Sequence, residues 1–550
     1  MMESRRQLLS GDEAVALGAL HGGVALGTGY PGTPSTEILE HFDAIGGKAQ
    51  WAPNEKVALE VGLGAAFGGA RALVTMKHVG LNVAADPFFT AAYTRIDGAL
   101  VVVSADDPGM ASSQNEQDNR HFAVAAGIPM LEPSDSEEAY RFTLKALEIS
   151  GRWGIPVLLR MTTRVCHSKT IVHPLQDRGP APEGGPAPKS PSFRRDRSAL
   201  VMIPANARPA HRRLRARLAE IAAWSEGSDL GQEIQGGRSL GIIASGVGLP
   251  HAREAAPGAS FLKLGMTYPL PMERIRKFAL GVDRCLVIEE GDPYLVDSLR
   301  AAGIAVEGKP EMFRFGELDV ARVRRIIAGD TTPEAPAPRG KPPQLCQGCP
   351  HRGVFQILHD MDCIVAGDIG CYTLGVLPPF EAMDTCVCMG AGITVGLGLR
   401  HVLPPEEARR VVSVIGDSTF VHSGLPGLVE MVYNPPPTGH LVLILDNGTT
   451  AMTGLQEHPG TGRALGHEPA SKLDFEGLIR SLGIPDVRIT DPVKDPGGLE
   501  RQIREALDRG GLSVIITRRP CILAAPKIRE YEQAQAAADA CGCGSAGGEC

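Results

Sequence analysis

The forty residues from Ile415 to Gly454 constrain the fold of this chain more than any other stretch. They read as strand, turn, helix, loop, strand, turn. VVSVIG and LVLILDN are short apolar runs rich in branched side chains, as buried parallel strands require. Each ends in a turn carrying oxygen ligands: Asp417 with Ser418 after the first, Asn447 with Gly448 and Thr449 after the second. Open α/β sheets bind ligands at the carboxyl ends of their strands, so Asp417 and Asn447 could share one ion there. A carboxylate, an amide oxygen and a backbone carbonyl are hard ligands, suited to Mg²⁺ that also holds phosphate oxygens. Asp and Asn also serve as plain turn formers. The paired strand ends, the helix between them and the TAMTG continuation favour the ligand site.

A chain of 550 residues is long for one core and implies about three domains. Its 66 glycines and 43 prolines fit many tight strand-to-helix turns. A net charge of −8 with no basic stripe argues against nucleic acid as a partner. No apolar run approaches the roughly 20 residues that span a bilayer, so no membrane partner is expected. The start, MMESRRQLLSGDEAVALGALHGG, imitates a signal peptide only weakly, because Asp12 and Glu13 interrupt its apolar part. An amphipathic first helix and a cytoplasmic protein are expected.

Residues 11 to about 170 alternate helical and strand patterns, the mark of a doubly wound parallel sheet. The segment HPLQDRGPAPEGGPAPKSPSF is rich in Pro and Gly and reads as linker. A second α/β unit begins at SLGIIASGVG, and DTTPEAPAPRGKPPQ forms a second linker before a third unit that holds the opening motif. The expected architecture is thus three doubly wound parallel-sheet domains. Their bounds are 1–170, 236–328 and 345–528, with linkers at 171–235 and 329–344 and a Cys-rich tail at 529–550.

In the first unit, Trp51-Ala-Pro-Asn-Glu55 enters a helix rich in Gly and Ala. Glu55 is either a first-turn glutamate complementing the helix dipole or an acid with a chemical role; Glu60 on the same helix is the fallback. Tyr30-Pro-Gly-Thr-Pro-Ser-Thr-Glu37 follows a Gly-rich strand and opens another helix. Thr33 and Ser35 are expected to cap it and to offer hydroxyls and N–H groups to a small carboxylate. Lys77, His78 and Arg120 stand in loops after strands, where they contact a ligand or are simply solvated.

Several long strings, YPGTPSTE, NEKVALEVGLGAAFGGARALVTMKHVGLNVAADP, SADDPGMASSQNEQDNR, CQGCPHRG, GDIGCYTLG and GDSTFVHSG, together resemble the alpha subunits of indolepyruvate:ferredoxin oxidoreductases. These are thiamine diphosphate-dependent 2-oxoacid:ferredoxin oxidoreductases, and the resemblance runs over roughly residues 10 to 525. It implies a pyrimidine-binding domain first, a transketolase C-terminal-like domain second and a diphosphate-binding domain third. By the same resemblance, Glu55 is the acid that relays a proton to the cofactor's aminopyrimidine ring. Asp417, Asn447 and the carbonyl of Thr449 hold Mg²⁺, while Gly416, Ser418, Met389 and Gly390 line the cofactor. Thr33 and Arg120 fall to the substrate.

Of the twelve cysteines, Cys346 and Cys349 form a CxxC, Cys371 follows in GDIGC, and Cys521 lies in RRPCIL. CxxC alone is zinc, redox or structural. The resemblance implies that these four hold a [4Fe-4S] cluster, although four thiolates also suit zinc. Cys166, Cys285, Cys363, Cys386 and Cys388 read as small buried residues. The tail CGCGSAGGEC offers Cys541, Cys543 and Cys550 but not the CxxCxxCxxxCP runs of the family's usual ferredoxin-like domain. The implied activity is oxidative decarboxylation of arylpyruvates to acyl-CoA, with electrons passing through the cluster to ferredoxin. The implied partners are a smaller beta subunit, ferredoxin, coenzyme A and a second alpha chain within a heterotetramer. Rival readings are a non-oxidative decarboxylase, an oxidoreductase using another acceptor, and a non-catalytic scaffold subunit.

Overall fold

The computed structural model describes residues 6–174, 191–335 and 343–540. Cys541, Cys543 and Cys550 lie outside the described residues. The chain divides after residue 335 into two compact units.

The first unit carries two main sheets. The larger has seven strands in the order Met266–Tyr268, Met130–Leu131, Val157–Thr162, Ala99–Asp106, Arg71–Lys77, Leu26–Gly29, Ala49–Trp51. All pair in parallel except Met266–Tyr268, which runs antiparallel to Met130–Leu131. The central strand ALVVVSAD is buried at every position, as a sheet covered by helices on both faces demands. The smaller sheet orders Cys285–Ile288, Gly237–Ala244, Ala259–Leu264 and Gly231–Ile234, the last antiparallel.

Three expectations change here. The segment 171–235 is more than linker, because it holds the 22-residue helix Pro204–Ser225 and the strand Gly231–Ile234. Leu214, Leu218 and Ile221 of that helix enter the same apolar core as Val101 and Leu158. The first two sheets also share part of that core, which includes Val287 and Leu295, and both lie in the one compact unit up to residue 335, although the smaller sheet keeps an apolar cluster of its own around Ile242 and Leu286. At the other end, Ala525–Ala540 is helical, so the segment 529–550 begins inside a helix.

The second unit is built on five parallel strands in the order Ile364–Ala366, Val411–Gly416, His440–Asp446, Leu512–Arg518, Asp486–Thr490. The strands read from the opening motif are therefore adjacent, with Gly416 opposite Leu445. Two apolar clusters, one containing Val412 and Leu443 and the other Ile415 and Ile444, pack the two faces of this sheet. Among the described residues no helix is long and apolar enough to cross a membrane.

Candidate active site

In the second unit, Asp417 heads a helix that runs on to Tyr433 through one π turn at Phe420–Gly424. Such turns recur at functional sites. Its carboxylate is buried and held by three donors. Oδ1 accepts the N–H of Ser418 at 2.9 Å. Oδ2 accepts the N–H of Gly448 at 2.8 Å and Nε2–H of His458 at 3.2 Å. The N–H of Gly460 donates to Nδ1 of the same ring at 3.2 Å, which leaves the ring proton on Nε2. Burial works to raise the Asp417 pKa, but attraction to His458 and these N–H groups outweigh it and hold the pKa below the usual range. Asp417 is thus an ionised, buried carboxylate, the state a cation ligand requires.

Asn447 is fixed on every side. Its Oδ1 accepts the N–H of Thr449 at 3.1 Å, and its Nδ2 donates to Nε2 of His351 at 3.3 Å. Its backbone oxygen accepts the N–H of Cys521 at 2.9 Å. His351 is buried, and burial holds its pKa down to about 4, so the ring is neutral and free to accept. Gly416 brings its strand against the Tyr372 ring, which a Cβ would meet at 2.6 Å. Ser418 Oγ accepts from Thr450 at 2.9 Å. The donor set of ionised Asp417, Asn447 and the Thr449 backbone fits a hard divalent cation.

Gly390 and Met389 precede the helix Ala391–Val402. The N–H of Gly390 is already taken by Asp368 Oδ1 at 3.0 Å, and that of Gly392 by Oδ2 at 2.9 Å. Gly390 has φ +89°, and a Cβ there would lie 2.5 Å from Ser423, so only glycine brings this turn so near. Burial raises Asp368 to about 6 against the pull of these N–H donors. Sequence reasoning missed Asp368, His351 and His458. Asp368 had a signal, because Gly367-Asp368 repeats the Gly416-Asp417 pair one strand away.

The four cysteines converge. Burial pushes Cys371 up to about 11, with Cys349, Cys521 and Cys346 close enough to add to the effect. Cys349 is raised likewise by burial and by Cys346 and Cys521, while its sulfur takes a bond from the backbone N–H of His351. Of the cysteines read as buried, Cys166 and Cys285 are buried and Cys363 is partly so. Cys386 and Cys388 are exposed, because they lie in the loop before Gly390 rather than in a strand.

In the first unit, Glu55 opens the helix Glu55–Phe67, and Asn54 Oδ1 caps it through Val57 N–H at 2.9 Å. Its side chain is 5% exposed and lies directly on Gly80, where a Cβ would sit 2.6 Å from Oε1. Glu60 is exposed and paired with Lys56, which removes it as the fallback. The expected capping by Thr33 and Ser35 does not form. Ser35 instead donates back to Gly32 O at 2.9 Å, and Gly32 N–H donates to Thr36 Oγ1 at 3.0 Å. Thr33 is half-buried beside them. Lys77 donates to Ser112 O at 2.6 Å, and His78 Nε2 lies 3.2 Å from Asn115 O.

Arg120 is not the substrate ligand the sequence suggested. Its guanidinium is fully buried and engaged by Asp118, by Glu289 at 2.6 Å, and by the carbonyls of Glu290 and Asp292. Arg160 extends the network to Asp106 at 2.7 Å and Glu132 at 3.0 Å. These ion pairs join the larger sheet to the loop after Cys285–Ile288. All three nitrogens of the buried Arg120 guanidinium donate within this network.

Comparisons with known proteins agree with this geometry. Residues 17–210 match the thiamine diphosphate-binding family of pyruvate flavodoxin/ferredoxin oxidoreductases. Residues 368–517 match the C-terminal TPP-binding domain of thiamine pyrophosphate enzymes. The chain is 38% identical to the indolepyruvate oxidoreductase subunit IorA of Methanothermobacter thermautotrophicus, covering 96% of this chain and 88% of that one. It is 37% identical to IorA of Archaeoglobus fulgidus over 96% and 89% of the two chains. With IorA of Pyrococcus abyssi it shares 38% over 94% and 86%. A buried Asp417 and Asn447 at adjacent strand ends within a matched thiamine diphosphate domain, and full-length identity of this order, lead to one conclusion: the chain belongs to the IorA family of indolepyruvate oxidoreductase subunits, thiamine diphosphate-dependent 2-oxoacid oxidoreductases.

Proposed function

We propose that this chain is the alpha subunit that oxidatively decarboxylates arylpyruvates of the indolepyruvate type. The 2-oxoacid loses its carboxylate as carbon dioxide, its acyl group passes to the thiol of coenzyme A, and two electrons leave singly for ferredoxin. Thiamine diphosphate, when bound, supplies the electron sink that makes loss of carbon dioxide feasible. Asp417, Asn447 and the Thr449 carbonyl hold Mg²⁺ on the diphosphate, with Gly416, Ser418, Met389 and Gly390 around it. Glu55, buried at the head of its helix, is the carboxyl group that exchanges a proton with the aminopyrimidine ring nitrogen, and its burial keeps water from competing. Thr33, half-buried beside the turn at Gly32, offers a hydroxyl to the substrate carboxylate.

Cys346, Cys349, Cys371 and Cys521 hold a [4Fe-4S] cluster. Four converging thiolates are the ligand set of a cubane cluster, and an oxidoreductase family supports a redox centre over a structural zinc. The family further supports a smaller beta subunit, a second alpha chain, ferredoxin as acceptor and a cytoplasmic location.

The observation that carries this reading is the ionised, buried Asp417 bonded to the turn that bears Asn447 and Thr449. The test is anaerobic reconstitution with the beta partner, coenzyme A and a viologen dye over a panel of 2-oxoacids, with iron and labile sulfide measured on the same sample. About four irons per chain and fastest dye reduction with arylpyruvates are expected. Iron-free protein, or aldehyde release without dye reduction, sinks the proposal.

A further inference from the structure

We propose that His351 is a positioning residue that ties the four-cysteine site to the amide of Asn447, so that occupancy of the metal–diphosphate site changes the electronic state of the cysteine site. This rests on the assignment of the two sites made above and adds a residue and a coupling that the assignment does not contain.

Three of the four cysteines connect to the turns that carry the cation ligands: Cys521 by one hydrogen bond, Cys349 through His351, and Cys371 through the packing of Tyr372. The backbone N–H of His351 bonds to the sulfur of Cys349, while its side chain accepts from Asn447 Nδ2 at 3.3 Å. Cys521 donates its backbone N–H to Asn447 O at 2.9 Å. Tyr372, next to Cys371, meets the His351 ring edge-on with centroids 6.2 Å apart and packs on Gly416, the residue before Asp417. Asn447 is therefore gripped from two cysteine-bearing segments at once.

The grip also chooses which end of the amide faces a cation. A primary amide donates at nitrogen and accepts at oxygen, and only the oxygen can ligate Mg²⁺. Nε2 of His351 faces the amide as an acceptor, so it holds the NH₂ end and leaves Oδ1 with Thr449 N–H and one free lone pair. Without that acceptor the buried amide can turn over and present its NH₂ group to the cation. Groups that orient ligands in this way change metal affinity by about 10–100-fold when removed. By thermodynamic reciprocity, if cation binding pulls on Asn447, the pull is felt at His351, at Cys349 and at Cys521.

The experiment uses the full chain with its beta partner, prepared anaerobically, as wild type, His351→Leu and His351→Gln. Thiamine diphosphate binding is titrated against Mg²⁺, and the reduced iron signal is recorded by electron paramagnetic resonance with and without Mg²⁺ and thiamine diphosphate. Gln retains an acceptor oxygen for Asn447, and all three proteins retain the backbone bond to Cys349. Expected results are equal iron content, Mg²⁺ dependence about 10–100-fold weaker in His351→Leu, and recovery in His351→Gln. The iron signal should change on adding Mg²⁺ and thiamine diphosphate in wild type and His351→Gln but not in His351→Leu. Wild-type Mg²⁺ affinity and signal response in His351→Leu overturn the proposal, as does a Gln variant as defective as the Leu variant. Iron-free wild type overturns the functional reading and the coupling together, whereas iron-loaded wild type with an unresponsive signal overturns the coupling alone.

Discussion

Gly80 offers the sharpest test of the role assigned to Glu55. It begins the short helix Gly80–Val83, and a Cβ placed on it would lie 2.6 Å from both Cγ and Oε1 of Glu55 and 2.8 Å from Cδ. Ordinary contact needs about 3.5 Å or more, so Gly80→Ala must push the carboxyl group aside by roughly 1 Å. The atoms in the way belong to one flexible side chain, so the fold gives locally. Overpacking costs typically 1–3 kcal/mol, offset by up to about 1 kcal/mol from replacing Gly with Ala in a helix. The net loss should therefore stay near or below about 2 kcal/mol and the protein should fold. A proton-relaying group displaced by about 1 Å loses on the order of 100-fold in rate. Dye-coupled 2-oxoacid oxidation should fall by that factor in Gly80→Ala, with the thermal midpoint shifted by only a few degrees. Glu55→Gln should lose activity similarly at unchanged stability. Full turnover in Gly80→Ala, with the folded state intact, would refute the assignment of Glu55 as the relay.

Arg120→Ala leaves Glu289 buried without its ion-pair partner and Asp118 with only the longer ion-pair contact to Arg160 at 3.6 Å, so it should cost about 3–5 kcal/mol of stability, read as a lower denaturant midpoint. A raised KM at unchanged stability would instead return Arg120 to the substrate. Asp368 supplies a pH signature. Its folded value of about 6 exceeds the unfolded value near 4, so its contribution is fully present below about pH 4 and declines as pH rises through 6. Relative to Asp368→Asn, wild type should lose up to about 3 kcal/mol between those limits in the cofactor-free protein, measured by unfolding at each pH. A pH-independent difference between the two contradicts the burial argument.

Much of the second unit was legible in the sequence because its signals are local. Apolar runs of strand length specify buried parallel strands, and a Gly-Asp or an Asp-Asn directly after such a run must stand at the carboxyl end of the sheet. Asp417 and Asn447 could be placed from that alone, Glu55 could be placed at the head of a helix, and Gly390 came only through the resemblance. The four cysteines could be grouped only through resemblance, since Cys349 and Cys521 lie far apart along the chain.

What the sequence alone determined was therefore the alternation of strands and helices and the residues at their ends. The tertiary structure decided which of those residues face one another and which are already occupied. Arg120, Thr33 and Ser35 look alike in sequence as polar groups near a ligand. Packing spends Arg120 on four acidic and carbonyl partners and turns Ser35 back onto Gly32. His351 and His458 carry no periodic signal, yet a bond of 3.3 Å makes one the holder of Asn447, and a bond of 3.2 Å makes the other the partner of Asp417. The physical reason is desolvation. A buried polar group must find a partner, and the partner it finds is set by the three-dimensional approach of segments that sequence spacing does not encode.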